Sequence, residues 1–209
     1  MPVIEGLVQN TPEWIIHRQG MVTASNMWRV MAKLKDPKKE SAERARYKAE
    51  LVCEVLTGRA TEHYVSPAME TGLEREPLAR TAYEVKYDLE AQPGGFWAHD
   101  TIPRLGASPD AILGEDGLAE FKCPSLTTHL GYLLSGEIPE EYQLQMQTQM
   151  ACTGRKWNDF GSYHPDMPER WQLWVKRLER DDKMISAIEL ETLQFLEEVI
   201  AVVKKLEAK

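Results

Sequence analysis

The sequence predicts a mixed α/β (α+β) fold in which helices flank a central mixed β-sheet. Helix signals dominate the first half of the 209-residue chain, short apolar runs between turn residues follow from Gly94, and helical patterning returns from residue 125. This alternation of helical and strand segments is typical of a mixed sheet covered by helices. Hydrophobic residues make up 43% of the chain, enough for one sizeable core, so we predict a single domain over residues 1–209.

Helix starts in the first half are predicted from capping residues that precede a proline. Such signals stand at Thr11-Pro12, Asp36-Pro37 and Ser66-Pro67, and the turn Thr23-Ala24-Ser25 offers a further cap. The first helix is expected to end near Gly20 and the second, which is long and charged, near Gly58, because glycine commonly follows a helix C-terminus.

The elements of the second half are predicted from the length and spacing of apolar runs. Strands are expected at 95–98, 105–113, 118–123, 156–163 and 171–178. Helices are expected at 125–135, at 139–153 and from Asp181 onward, where an apolar stripe recurs at helical spacing. The turn at 114–117 separates two of the strands, so these two can form a hairpin.

The net charge of −8 argues against a protein that binds nucleic acid without specificity, because phosphate neutralisation needs Lys and Arg. The charge is unevenly distributed, since residues 1–50 hold nine Lys or Arg and only six Asp or Glu. Two interpretations stay open: a locally basic entrance on an acidic body, and an ordinary acidic cytoplasmic protein.

Three cysteines, Cys53, Cys123 and Cys152, are too few for an iron–sulfur cluster with four protein ligands and too far apart for a disulfide framework or zinc motif. The first residues carry no basic segment followed by an apolar stretch, and no uncharged run approaches the roughly 20 residues that span a bilayer. We therefore expect a cytoplasmic protein with free thiols and no membrane partner.

Asp110, Glu120 and Lys122 are charged residues in strands that otherwise look buried. Residues two apart in a strand project to one face, so Glu120 and Lys122 point the same way, and a hairpin can bring Asp110 beside Glu120. Two carboxylates crowded in a poorly solvated place need a cation to remain ionised. Mg²⁺ prefers oxygen ligands and is the expected ion, for which Mn²⁺ can substitute.

The same triplet at this spacing arises by chance in roughly one chain in twenty of this length. Its position at the ends of apolar strands therefore carries the argument, because a charge there requires an explanation that a charge on a solvated helix does not. A lysine on the carboxylate face could orient or deprotonate an attacking water, or stabilise charge on a scissile phosphate.

The segments Gly-x-Ser-Pro-Asp at 106–110 and Glu-Phe-Lys-Cys-Pro at 120–124 resemble the core of the PD-(D/E)xK nuclease superfamily. The surrounding chain resembles the lambda-type phage exonuclease branch, the YqaJ-like viral recombinases, over about residues 10–203. Matching segments include the first helix and Thr-Ala-Ser turn at 14–25, the helix around 72–76 and the helix at 142–147. The resemblance implies a restriction-endonuclease-like core.

By position, the resemblance implies that Asp110 and Glu120 bind the metal ion, with the Phe121 backbone carbonyl as a third ligand. It implies that Lys122 is the catalytic lysine. Glu76 would complete the acidic cluster. The alternative for Glu76 is a solvated ion-pair network with the charged residues around it at 74–80.

The resemblance further implies that Gln145 lies in the active site near the nucleophilic water, although a half-buried polar helix face is the alternative for this residue. Arg18 and Ser25 would bind the 5′-phosphate of the strand being degraded. A cation beside a turn at a helix start suits a phosphate. The alternative for Arg18 is a surface ion pair with Glu13.

The implied activity is that of a Mg²⁺-dependent exodeoxyribonuclease that digests one strand of linear double-stranded DNA in the 5′→3′ direction, releases mononucleotides and leaves a 3′ single-stranded tail. A homotrimer ring around the DNA and a single-strand annealing protein as partner are also implied, in a bacterial host that carries a phage or prophage. The alternatives are a structure-specific endonuclease or Cas4-like nuclease of the same superfamily, and a non-catalytic DNA-end-binding protein.

Overall fold

The computed structural model describes residues 3–4, 7, 9, 11–32, 40–61 and 66–209. Its helices are α1 (Pro12–His17), α2 (Met27–Met31), α3 (Ala42–Thr57), α4 (Pro67–Tyr87), α5 (Leu126–Ser135), α6 (Glu140–Thr153), α7 (Glu169–Gln172) and α8 (Asp182–Glu207). Its strands are β1 (Val3–Ile4), β2 (Val22–Thr23), β3 (Gln92–Pro93), β4 (Phe96–Ala98), β5 (Leu105–Ala107), β6 (Ala111–Leu113), β7 (Gly117–Lys122), β8 (Trp157–Tyr163) and β9 (Leu173–Glu179). No helix within the described ranges is both long and apolar enough to cross a membrane.

Helix boundaries follow the capping signals in the sequence. The Thr11 side chain accepts a hydrogen bond from the N–H of Trp14 and caps α1, and Ser41 caps α3 in the same way. Gly58, in the left-handed conformation with φ of 61°, ends α3 as expected. The predicted start of that helix at Asp36-Pro37 lies outside the described residues.

The strands form two sheets. In the four-stranded sheet the order is β1-β4-β5-β2, and β2 and β5 are its parallel pair. In the five-stranded sheet the order is β3-β6-β7-β8-β9, where β7 and β8 are parallel and the other pairs are antiparallel. Helices α5 and α6 form the crossover that a parallel pair requires. The predicted mixed sheet flanked by helices is therefore confirmed.

The apolar run at 105–113, predicted as one strand, is instead two strands in different sheets, β5 and β6. The chain passes from one sheet to the other through Ser108, Pro109 and Asp110. Proline has no N–H for a ladder bond, so the pairing of β5 cannot continue through Pro109. The break places Asp110 at the end of a strand, where its side chain turns toward β7.

Helices pack on both faces of β7. On one face, Tyr83 of α4 packs against Phe121, and their rings are 5.5 Å apart in an edge-to-face arrangement. On the other face, Met150 of α6 packs against Leu118. The largest cluster of buried residues lies beyond α6, around Phe195 of α8. Strand β7 is thus held between two helices, and α6 also joins the sheet to the helical core.

Phe195→Ala is expected to lower the free energy of unfolding by about 3–5 kcal/mol, because it leaves a cavity in this core. Phe195 is 0% exposed and stacks on Tyr47 with ring centroids 5.6 Å apart. Urea denaturation measures the loss. Leu193→Ala is the control, since Leu193 lies in the same helix but is 43% exposed. Equal losses in the two variants would contradict the central position of Phe195.

Candidate active site

The hairpin formed by β6 and β7 brings the carboxylates of Asp110 and Glu120 together. Ala111 lies opposite Ala119 in this antiparallel pair, so the next residues outward, Asp110 and Glu120, face each other at its open end. The Asp110 Oδ2 accepts a hydrogen bond of 2.6 Å from the N–H of Phe121. This bond fixes the Asp110 carboxylate against the end of β7.

Glu120 is 1% exposed, and three side-chain donors hold its carboxylate. Its Oε1 accepts hydrogen bonds of 2.5 Å from Lys122 Nζ and 2.5 Å from Gln145 Nε2. Its Oε2 accepts a hydrogen bond of 2.6 Å from Gln149 Nε2. Two of the donors come from α6, one turn apart, so this helix presents a pair of carboxamides to the end of the sheet.

Lys122 lies between the carboxylates and an aromatic ring. Its side chain is 27% exposed, and Nζ lies 5.2 Å from the centroid of the Tyr142 ring. Burial acts to lower the pKa of Lys122, but the charges of Glu120 and Asp110 outweigh it and raise the pKa above its ordinary value. Without a bound metal, Lys122 is therefore a firmly protonated cation that neutralises part of the acidic cluster.

The acidic cluster carries more negative charge than its one lysine balances. Burial raises the pKa of Asp110 well above its ordinary range, and the neighbouring charges of Glu120 and Glu76 raise it further. Burial and the charge of Glu120 also raise the pKa of Glu76. Because the pKa values of Asp110 and Glu76 are both raised beside Glu120, a cation bound among these carboxyl groups would stabilise their ionised forms.

The oxygen donors in this cluster suit a hard divalent cation such as Mg²⁺. The N–H of Phe121 points to Asp110, and in an extended strand the carbonyl of a residue points to the same side as its N–H. Two carboxylates and this carbonyl make an oxygen set that Mg²⁺ accepts together with several waters. Within the described ranges, no three His, Cys, Asp or Glu side chains group closely enough to hold an ion by themselves.

Arg18 lies in a separate cavity of about 330 Å³ between α1 and α3. Its guanidinium stacks on the Trp14 ring at 3.7 Å from the centroid, and burial lowers the pKa of Arg18 to about 10 against the opposing charges of Tyr47 and Glu54. The buried Arg18 Nε has no hydrogen-bond partner among the described residues. The alternative ion pair with Glu13 is not formed, so a cation with an unsatisfied donor faces the cavity.

Ser25 is exposed in the 3-10 turn Ala24–Asn26 that leads into α2. Its neighbours Thr23 and Asn26 line the Arg18 cavity, whereas Ser25 itself is outside the lining. The Ser25 Oγ lies 3.4 Å from the Thr23 Oγ1. The structure therefore places the predicted phosphate-binding turn beside the cavity and its serine at the rim.

The Arg18 cavity and the acidic cluster are joined through the loop that carries Asp110. The Trp14 Nε1, beneath Arg18, donates a hydrogen bond of 3.0 Å to Ser108 Oγ. Close contact fixes the other side of this loop, since a Cβ atom on Gly94 would lie 1.6 Å from the Pro109 carbonyl oxygen. Both contacts hold the segment that ends in Asp110.

Most described cations of residues 1–50 are balanced by glutamates. Ion pairs are formed by Arg29, Arg44, Arg46 and Lys48. Lys33, Lys35, Lys38 and Lys39 lie outside the described residues. Among the described Lys and Arg residues of this segment, Arg18 alone makes no ion pair, and it lines the cavity between α1 and α3.

Two further polar residues of the site, Gln149 and Asn158, were not singled out as functional from the sequence. Gln149 was visible only as a member of a polar stripe, and its spacing of four from Gln145 was the one signal that both face Glu120. Outside this site, His129 is fully buried and contacts Ser162 Oγ and the Trp171 carbonyl through its two ring nitrogens.

Charges from its own helix and from the acidic cluster both act on Glu76. The charge of Arg80 acts to lower the pKa of Glu76, although Arg80 forms its ion pair with Glu84, and Arg75 contacts the ring of His164 at 3.1 Å. Glu76 lies close enough to Glu120 for that charge to raise its pKa. The structure thus brings together Glu76, Asp110, Glu120, Lys122 and Gln145, and places Arg18 and Ser25 at the adjoining cavity.

A family model described as the YqaJ-like viral recombinase domain matches residues 13–156. The chain belongs to the YqaJ-like viral recombinase family. The resemblance inferred from the catalytic motifs is thereby confirmed.

Solved structures agree with the family match. The alkaline exonuclease LHK-Exo from Laribacter hongkongensis, alone and in complex with dAMP, is similar at 42% identity with a TM-score of 0.88, over 95% of this chain and 97% of that one. A phage-related exonuclease from Haemophilus somnus 129PT shares the fold, at 13% identity and a TM-score of 0.71, over 89% of this chain and 96% of that one. No curated protein matches the chain. The expected restriction-endonuclease-like fold class is confirmed in this YqaJ-like chain.

Asp110→Asn is expected to stabilise the metal-free protein at neutral and higher pH. The raised pKa of Asp110 means that the folded state binds this proton more tightly than the unfolded state, so stability is lost as the pH rises through that window. The gain from the variant should therefore shrink as the pH falls toward about 4, the ordinary pKa of aspartate.

Urea denaturation in EDTA from about pH 5 to about pH 8 measures this difference. Asp88→Asn is the matched control, because Asp88 is exposed beyond α4 and asparagine accepts its positive φ of 50°. A gain from Asp110→Asn that stayed constant with pH would contradict a raised pKa of Asp110 in the folded protein.

Proposed function

We propose that this protein is a Mg²⁺-dependent 5′→3′ exodeoxyribonuclease. It digests one strand of linear double-stranded DNA to mononucleotides and leaves a 3′ single-stranded tail for recombination by single-strand annealing. The observation that carries the proposal is the meeting of Asp110, Glu120 and Lys122 at one end of the β6–β7 hairpin, with both carboxylates oriented by hydrogen bonds. Similarity to an alkaline exonuclease, which has also been seen with dAMP, supports exonuclease activity with a mononucleotide product.

In the proposed mechanism the chain's own groups hold the ion, the water and the phosphate. Asp110, Glu120 and the Phe121 carbonyl would hold the divalent cation. When bound, the cation lowers the pKa of a water and neutralises charge on the scissile phosphate. The protonated Lys122, beside Glu120, stabilises negative charge that develops on that phosphate.

Gln145 and Glu76 complete this arrangement. Gln145 is 7% exposed and donates to Glu120, and this contact with a metal ligand supports a role for its carboxamide in orienting the attacking water. Glu76 adds a third carboxyl group to the acidic cluster, where its raised pKa suits it to accept or return a proton. In this mechanism Gln145 lies near the attacking water, whereas Lys122 lies near the scissile phosphate.

The Arg18 cavity supports recognition of the 5′-phosphate. A guanidinium with a free N–H, held rigid on Trp14, provides directional donors that match a phosphate group. Ser25 at the rim and the start of α2 add hydroxyl and backbone donors. We infer that the terminal phosphate enters here while the first phosphodiester lies at the acidic cluster.

Assembly and partners follow from the family likeness. We infer a homotrimer ring with DNA in its channel, and a single-strand annealing protein as the partner in a phage-infected or prophage-carrying bacterial cytoplasm. A ring would compensate for the acidic charge of −8, because it retains DNA by topology rather than by charge alone. A structure-specific or Cas4-like nuclease and a DNA-end-binding protein are the alternatives that the next experiment separates.

Linear duplex DNA labelled at the 5′ end should lose its label as mononucleotide in Mg²⁺ or Mn²⁺, and not in EDTA. A covalently closed circle should stay intact. Lys122→Met should lower the rate by about 100-fold or more without abolishing DNA binding, because it removes the cation beside the scissile phosphate. Lys156→Met is the control, since the Lys156 side chain is 70% exposed and pairs with Asp116 of the turn between β6 and β7.

Cleavage of the circle would instead establish an endonuclease, and binding without any cleavage would establish an end-binding protein. Label lost first from the 3′ end would refute the proposed polarity.

Arg18→Met should remove the preference for a 5′-phosphate over a 5′-hydroxyl end while it keeps most of the side-chain volume. The expected effect is a rate on phosphorylated DNA that falls about 10- to 100-fold, because a charge-assisted phosphate contact contributes about 1.5–3 kcal/mol. Initial rates on the two substrates measure it. Arg170→Met, on the exposed surface of α7, should keep the wild-type ratio, and an unchanged ratio in Arg18→Met would exclude the cavity as the phosphate site.

A further inference from the structure

The two oxygens of the Glu120 carboxylate are held differently. Oε1 receives two donors, Lys122 Nζ and Gln145 Nε2, whereas Oε2 receives one, Gln149 Nε2. Each oxygen of an ionised carboxylate has about two acceptor positions. Among the described residues, Oε2 is therefore the oxygen that keeps a position for a cation, and Gln149 is the group that orients it.

Asn158 fixes which end of the Gln149 carboxamide meets Glu120. The Asn158 Nδ2 donates a hydrogen bond of 2.7 Å to Gln149 Oε1, so the amide nitrogen of Gln149 is directed to the carboxylate. Gln149 and Asn158 are both 0% exposed. Glu120, Gln149 and Asn158 thus form a chain of hydrogen bonds that is buried from solvent.

The position of Asn158 follows from the sheet register. In the parallel pair of β7 and β8, Leu118 lies opposite Asn158 and Glu120 lies opposite Phe160. Residues two apart share a face, so Asn158 projects to the same side as Glu120, where α6 packs. Helix α6 and strand β8 together close the pocket around the Glu120 carboxylate.

This chain of hydrogen bonds is not what stability alone would favour. The buried Asn158 Oδ1 has no hydrogen-bond partner among the described residues, and an unsatisfied buried carbonyl is unfavourable. A leucine at this position would remove the unpaired oxygen and meet an apolar neighbour, since Leu118 lies opposite it in the sheet and packs against Met150, but it would leave the Gln149 Oε1 without its donor. Among the described residues, the bond from Asn158 to Gln149 is the one side-chain hydrogen bond that the asparagine makes.

We propose that Gln149, oriented by Asn158, is a positioning residue that sets the Glu120 Oε2 for binding of the divalent cation. This rests on the proposed function, which makes Glu120 a metal ligand. Hydrogen-bond partners of metal ligands fix ligand orientation, and their loss typically weakens metal binding by about 10- to 100-fold.

Gln147 provides a matched control on the same helix. It is 1% exposed, its Nε2 donates to the Glu179 carbonyl at 2.8 Å and its Oε1 accepts from the Asp181 N–H at 3.0 Å. Gln147→Leu and Gln149→Leu therefore each remove a buried glutamine side chain that makes two hydrogen bonds. Only the second change touches Glu120.

The experiment titrates Mn²⁺ into the full-length protein without DNA and measures the dissociation constant by calorimetry and by the spin-resonance signal of free Mn²⁺. Gln149→Leu should weaken binding by about 10- to 100-fold, and Gln147→Leu should not. The Mg²⁺ concentration for half-maximal cleavage should rise in Gln149→Leu alone. Equal weakening in the two variants would show a general structural effect and overturn the proposal.

Asn158→Leu tests the same proposal. It removes the unpartnered Asn158 Oδ1 but leaves the Gln149 Oε1 without its donor, so the free energy of unfolding should change little. Its Mn²⁺ affinity should nevertheless fall, because the Gln149 amide is no longer fixed. Unchanged affinity in this variant would overturn the role of Asn158.

Glu120→Gln distinguishes failure of the metal site from failure of the positioning role. If Glu120→Gln binds Mn²⁺ as the wild type does, the proposed metal site is wrong. If Glu120→Gln loses Mn²⁺ binding and Gln149→Leu keeps the wild-type affinity, only the positioning role is wrong.

Discussion

The buried negative charge of Glu120 is the constraint on which the arrangement of the site depends. A carboxylate that is 1% exposed is destabilising unless donors or a cation surround it. Its donors come from its own strand and from α6, which must therefore pack with Gln145 and Gln149 turned to the sheet. Met146 and Met150 directly follow these glutamines in the sequence and supply the apolar contact with Phe160 and Leu118 of the sheet. Hydrogen bonds to a buried carboxylate and apolar packing thus both position helix α6.

The molecule holds two opposite electrostatic environments on one scaffold. At the end of β7, crowded carboxyl groups favour a cation, while the cavity between α1 and α3 holds a buried arginine that favours an anion. The Trp14 side chain belongs to both regions, because its ring lies under Arg18 and its N–H bonds to Ser108 near Asp110. Their separation is therefore set by packed side chains rather than by a long flexible segment.

Local patterns were sufficient to predict the hairpin, the shared face of Glu120 and Lys122 and most helix ends, because caps and the two-residue period of a strand are properties of neighbouring residues. The division of 105–113 between two sheets was missed, since an apolar run does not reveal which partner each half pairs with. Gln149 and Asn158 were missed for a related reason. Their roles depend on a contact between α6 and β8, and a buried polar residue has no sequence signature of its own partner.

Gly94 shows that a position can be intolerant to substitution without taking part in the chemistry of the site. It contributes no side chain, yet the Pro109 carbonyl oxygen occupies the space that any Cβ atom would need. In a saturation-mutagenesis map this position would stand out as sharply as the acidic residues, although it contributes no side chain to the site. A map of intolerant positions in this fold therefore traces the support of the Asp110 loop together with the reacting groups, and geometry is needed to tell the two apart.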